Sequence, residues 1–278
     1  MVVCGDSMEL NRDYESAAIY KWRKKRKKAF VLFICIVGIC FLVTRMVRVE
    51  DKTTVKVHNM HTEQNEKAIR YVASNMIKED PKIAITFDDG PSPAWTPQLL
   101  DGLKERNVKA TFFVTDGNSD YRYLLAKEAA AGHTVAIHSE THDYKYIYSS
   151  CDAYFEDLNR MSDIITEQTG KRPKLLRFPG GSSNTISKNY CFRIMSVLTK
   201  AVSDQGYKYF DWNVSSGDAG GTTSTSEVYN NVISGIQSHD ISVVLQHDIK
   251  LFSVNAVEDI IVWGLANGYT FLPLTESS

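Results

Sequence analysis

The chain has 278 residues, 43% hydrophobic and 23% charged, with a formal net charge of −1, which is ordinary globular composition for one large domain or two small ones. The near-neutral total hides an asymmetry: KWRKKRKK (21–28) carries seven basic residues, and the remainder sums to −8. That acidic remainder excludes nucleic acid as a partner of the main domain.

The basic run leads directly into AFVLFICIVGICFLV (29–43), which Thr44, Met46 and Val47 extend while Arg45 can snorkel to the interface. No small-x-small cleavage site follows in FLVTRMVRVE, so the stretch reads as a retained signal anchor, a single transmembrane helix over 29–47, in preference to a cleaved signal peptide. The positive-inside rule places the basic tail 1–28 in the cytoplasm and everything beyond the anchor outside. Residues 48–79 are polar, with only a weak helical pattern over 66–77, and read as a stalk in which His58 and His61 are solvated.

From residue 80 to 278 short apolar runs alternate with longer amphipathic ones, the pattern of repeated βα units. The expected strands are KIAITF, VKATFFV, HTVAIHS, KLLRF, YKYFDWNV, SVVLQH and YTFLPL. Helices are expected near 95–106, 120–131, 152–168, 187–204, 225–238 and 254–267. Thr96, Ser150 and Thr225 mark starts, and Gly132, Gly170, Gly206 and Gly268 mark stops. Seven strands in about 195 residues are too few for a complete eight-fold barrel, so the expected fold is α/β, a distorted, incomplete (β/α) barrel. Of five cysteines only Cys151 and Cys191 fall in this domain, and without a spacing pattern they read as two buried thiols in preference to a disulfide.

Polar residues gather just past the expected strands: Asp88 and Asp89, His138 and His142, Arg177, Asp218 and His247. That edge of a parallel α/β fold is where sites are built. HSETH (138–142) spaces two imidazoles so that a helical turn would aim both at one point, and two neutral imidazoles plus one carboxylate form a hydrolytic metal site with an open position. KIAITFDDGPS (82–92) supplies the carboxylate. Adjacent side chains on a strand point to opposite sides, so Asp88 and Asp89 cannot both chelate one ion from extended backbone and are expected to flank it.

TFDDGP, HSETH, RFPGG and LQH, in this order, resemble the NodB-type polysaccharide deacetylases, carbohydrate esterase family 4, and among these most closely the membrane-anchored peptidoglycan N-acetylglucosamine deacetylases. The likeness covers roughly residues 80–275. It implies an incomplete barrel of about seven strands and hydrolytic removal of acetyl groups from N-acetylglucosamine in a cell-wall glycan, outside the membrane of a Gram-positive bacterium. Other acetylated polymers (chitin-like, exopolysaccharide, acetylxylan) and a weakly active glycan-binding relative are the alternatives.

The resemblance also implies roles. Asp89, His138 and His142 would hold one divalent ion, for which the N/O donors suit Zn2+, with Co2+ or Ni2+ as alternatives. Asp88 would be the general base, with Arg177 lowering its pKa and holding it ionised. His247 would be the acid, Leu245 would wall the acetyl methyl, and the Gly180 N–H would meet the oxyanion. One motif departs: in SSGDA, Ser215 and Ala219 stand where many members have the carboxylate that tunes the acid and an aromatic wall, leaving Asp211 or Asp248 as substitutes for the former.

Overall fold

The computed structural model describes residues 81–278. The expected tail (1–28), anchor (29–47) and stalk (48–79) lie outside these residues. Among the described residues no helix is long and apolar enough to cross a membrane.

Eight strands run in chain order: β1 Lys82–Asp88, β2 Thr111–Val114, β3 Thr134–Ile137, β4 Leu175–Leu176, β5 Lys208–Tyr209, β6 Val214–Ser215, β7 Ile241–His247 and β8 Thr270–Phe271. The α-helices are α1 Thr96–Glu105, α2 Tyr123–Ala130, α3 Tyr144–Ile147, α4 Cys151–Thr169, α5 Ile194–Asp204, α6 Thr225–Ile236 and α7 Leu251–Ala266. The sheet follows the order β5-β4-β3-β2-β1-β7-β6, and all its ladders are parallel. β8 pairs with Lys82 and Ile83 of β1, while β2 pairs with Thr86 to Asp88, so these two share one edge of β1 and β7 takes the other.

The expected strand YKYFDWNV is divided between β5 and β6, which do not pair, and there the barrel stays open. Between them the Phe210 carbonyl accepts from Arg177 Nε at 3.0 Å and the Asp211 carbonyl from Nη2 at 3.4 Å. A side chain takes the acceptors that a continuous ladder would have used.

Period-two alternation sorts β1 into two faces. Ile83, Ile85 and Phe87 pack into the large core beneath the helices, whereas Ala84 joins Phe113, Ala136, Leu175 and Leu274 in a small cluster inside the barrel. By the same alternation Thr86 and Asp88 face the interior, and Asp88 caps it at the C-terminal rim.

The helix signals hold in part. Ser150 accepts from the Ala153 N–H at 3.1 Å at the start of α4, and Gly170 ends it at φ 71°, as a residue without Cβ can. Ser224, and not Thr225, caps α6. The expected helix 187–204 divides into a 3-10 turn at Ser187–Asn189 and α5. Cys151 and Cys191 are thiols and not a disulfide, as expected, but half-buried.

Candidate active site

β1 ends on Asp88, which lies opposite His247 in the β1–β7 ladder. The next residue, Asp89, leaves extended geometry at φ 73°, a left-handed conformation that aspartate tolerates better than most side chains. This break answers the geometric objection raised by two adjacent aspartates: the chain turns, and both carboxylates reach one mouth. Thr115 anchors the turn, its Oγ1 donating to the Asp89 carbonyl at 2.9 Å and its N–H to the Gly90 carbonyl at 2.8 Å. On the other side the Asp248 carboxylate fills the space in which a Cβ on Gly90 would sit. Only glycine fits there.

The HSETH segment follows β3 as a bend and not as the expected helical turn. His142 reaches the site at φ 52°, with its N–H donating to Ser139 Oγ at 2.8 Å. The His138 and His142 rings lie 5.2 Å apart.

Around Asp89 the acceptor atoms converge. His138 Nδ1 lies 2.9 Å from the Arg177 carbonyl; a carbonyl only accepts, so Nδ1 carries the proton and Nε2 presents a lone pair. Burial drives the His138 pKa down to about 3, against the pull of Asp89, so the ring is neutral. Its Nε2 lies 3.4 Å from Asp89 Oδ1, and His142 Nε2 lies 3.3 Å from the same oxygen. That oxygen is buried without a hydrogen-bond partner. A buried carboxylate oxygen faced by imidazole nitrogens, all donor atoms within 4.8 Å of one another, fits a divalent cation of the N/O-preferring class and leaves coordination positions open.

Asp88 is bound differently. Its Oδ1 accepts from Arg177 Nη1 at 2.7 Å, and its Oδ2 lies 3.9 Å from His138 Nε2. Arg177 is fully buried, donates from Nη1 to Thr86 Oγ1 at 2.7 Å and stacks over the Phe113 ring at 4.2 Å. The expected pair with Arg177 is present, and Arg177 pulls the Asp88 pKa down as expected. The net direction is the correction: burial is the larger influence and leaves the carboxyl above its ordinary value.

His247, at the end of β7, is clasped by Asp218. Asp218 Oδ1 accepts from Nδ1 at 2.8 Å, while Oδ2 accepts from the His247 N–H at 2.8 Å and from Ser253 Oγ at 2.7 Å. His247 Nε2 points toward Asp89, 3.8 Å from Oδ2. Burial opposes the imidazolium, but the Asp218 hydrogen bond and charge outweigh it and hold the His247 pKa above its usual value. Asp218 sits below the usual carboxylate range: burial would raise it, but hydrogen bonds from His247, Ser253 and Ser216 prevail.

This corrects the reading of SSGDA. The motif itself supplies the carboxylate on the histidine, at Asp218, and neither proposed substitute does so. Asp211 binds the Ser182 N–H at 2.8 Å and the Ser182 hydroxyl, and Asp248 accepts from Thr96 Oγ1. Ser215 is exposed, and Ala219 lies at the cavity wall.

A cavity of about 320 Å³ joins these parts. Asp88, Asp89, His138, His142, Gly180, Leu245 and His247 line it, with Arg177 behind Asp88, so the residues singled out in the sequence meet in one place. Tyr144, Trp212 and Lys250 also line it and had no signal of their own. Trp212 gives the cavity its large aromatic wall, against Gly181, and Lys250 Nζ donates to the Asp218 carbonyl at 2.6 Å.

Residues 75–193 match the family model described as polysaccharide deacetylase. A peptidoglycan-N-acetylglucosamine deacetylase of Bacillus cereus is 30% identical over 267 residues, 91% of this chain and 94% of its own length. The chain belongs to the polysaccharide deacetylase family. It is an enzyme of carbohydrate esterase family 4, whose members hydrolyse N-acetyl amides. The crystal structure of the catalytic domain of a peptidoglycan N-acetylglucosamine deacetylase from Eubacterium rectale is similar at 59% identity and a TM-score of 0.71, covering 73% of this chain and 92% of that one. A peptidoglycan-N-acetylmuramic acid deacetylase of Bacillus subtilis is 32% identical over 195 residues, 70% of this chain and 38% of its own. The family-model match takes in the deacetylase's DDG, HSETH and RFPGG segments and ends before Asp218 and His247.

Proposed function

We propose that the enzyme removes N-acetyl groups from N-acetylglucosamine residues of cell-wall peptidoglycan with the help of one divalent metal ion, releasing acetate. One observation carries this reading: the unpartnered Asp89 Oδ1 faces two imidazole Nε2 atoms, with Asp88 and His247 each within 4 Å of that cluster.

Asp89, His138 and His142 would hold the ion, Zn2+ by donor chemistry with Co2+ or Ni2+ as substitutes; it would supply Lewis acidity to the attacking water and the acetyl carbonyl. Asp88 takes the proton of that water on Oδ2, because Oδ1 is engaged by Arg177. The water oxygen bonds to the carbonyl carbon, and the Gly180 N–H, which has no protein acceptor among the described residues, is free to donate to the oxygen that becomes negative. Leu245 walls the acetyl methyl. The C–N bond then breaks as His247 Nε2–H protonates the nitrogen, leaving a free amine and acetate. The Asp218 contact on Nδ1 keeps the imidazolium available for that step.

Support for the polymer comes from relatives named for peptidoglycan; the one named for N-acetylmuramic acid favours that sugar as the second reading. The glycan-binding alternative loses its motive, since Asp218 attends His247. The basic run 21–28 followed by the apolar stretch 29–47 supports a single-pass anchor with the catalytic domain outside the cell. The test is acetate release by the zinc-loaded full chain from peptidoglycan, N-acetylglucosamine oligomers and acetylxylan, with mass analysis of the muropeptides. Glucosamine-containing products are expected; muramic-acid products would move the substrate to the second sugar, and release from the ester polymer alone would refute amide hydrolysis.

A further inference from the structure

The two histidines of HSETH converge only because the three residues between them are folded into a tight bend, and nothing in those residues forces it. The agent lies 15 residues beyond, on the second turn of α4. Asp157 is buried and accepts four hydrogen bonds: Oδ2 from Ser139 Oγ at 2.8 Å and the Glu140 N–H at 2.9 Å, and Oδ1 from the Thr141 N–H at 2.9 Å and Thr141 Oγ1 at 2.8 Å. All four donors belong to the segment between His138 and His142. Ser139 Oγ in turn accepts the His142 N–H at 2.8 Å, so the carboxylate is linked to the backbone of the residue at φ 52°.

We propose that Asp157 is the positioning residue that preorganises His138 and His142 for the cation. This rests on the cation-binding reading of the site. A carboxylate suits the task because it offers only acceptors, and two oxygens receive two donors each. An amide of the same shape would turn an NH2 group toward one hydroxyl and one backbone N–H; the hydroxyl could reverse its role, but the N–H would lose its acceptor. The bend would then relax toward ordinary backbone conformation at His142, and its imidazole would swing away from Asp89.

The test is the zinc affinity of the full chain, by competition with a chromophoric chelator, in wild type and Asp157→Asn, together with the thermal midpoint of each metal-free protein. Outer residues that orient metal ligands are typically worth 10–100-fold in affinity, and a loss of that size in folded Asp157→Asn is expected. A lower midpoint with unchanged zinc affinity would overturn the proposal, because it would make Asp157 merely structural. If Asp157→Asn does not fold, Thr141→Val decides: it keeps the carboxylate, removes one donor from an exposed residue and should weaken zinc binding severalfold, whereas unchanged affinity would again overturn the proposal. Absence of zinc binding by the wild type would instead strike the reading of the site itself.

Discussion

His247 and Asp218 are joined twice, the imidazole Nδ1 donating to Oδ1 at 2.8 Å and the His247 backbone N–H to Oδ2 at 2.8 Å. One carboxylate thereby fixes the position, the tautomer and the charge of the ring, and leaves Nε2 to face the cavity. Burial alone would favour neutral imidazole; with Asp218 present the imidazolium is favoured.

The pH dependence follows in sign. As the proposed acid, His247 acts as imidazolium, so activity should be retained below its pKa and lost as pH rises through it. Asp218→Asn removes the charge that raises this pKa, and burial then lowers it. The basic limb of kcat/KM against pH should move to lower pH, with kcat near neutrality reduced by about 10²-fold or more. A basic limb that stays in place would show that another group is the acid.

The proposed base and the proposed metal ligands should separate by readout. Asp88→Asn keeps Asp89, His138 and His142, so it should bind zinc near wild-type affinity while turnover falls by about 10²–10⁴-fold. His142→Ala removes an imidazole and should lose both. Zinc titration with parallel acetate assays checks this, and equal metal loss in the two variants would collapse the division between base and ligand.

How far the sequence reached can be traced residue by residue. The strand-end positions of Asp88, His138, Arg177 and His247 were legible because each closes an apolar run, and a parallel fold gathers such ends on one rim. The split between β5 and β6 was not legible, because it depends on a guanidinium from a different strand taking the Phe210 and Asp211 carbonyls. The bend of HSETH is not legible because spacing reports periodicity and not the Asp157 carboxylate that accepts the Glu140 and Thr141 N–H groups. Asp218 is legible as a residue of that rim but not as the partner of His247, since only the folded chain shows which residue of SSGDA meets the imidazole.

Away from the site, His133 should set part of the acid sensitivity of the fold. Its Nδ1 accepts the Ala110 N–H at 3.1 Å, and burial, with Lys109 nearby, pushes its pKa down to about 4. The unfolded chain binds that proton near pH 6.5, so the stabilisation is full above that pH and lost as pH falls to about 4. Urea unfolding at pH 7 and pH 4.5 should show wild type losing more stability than His133→Gln, on the order of 1–2 kcal/mol once solvent screening of the ring is allowed for. Equal losses would mean that His133 is protonated in the folded protein as readily as in the unfolded chain.

Whether Asp89, His138 and His142 hold the ion on which deacetylation depends is decided by acetate release from peptidoglycan before and after chelation of the full chain. Chelator should abolish release, and about one equivalent of Zn2+ per chain should restore it. Undiminished release from the metal-stripped chain, or restoration by zinc in His142→Ala as complete as in wild type, would show that these three residues do not.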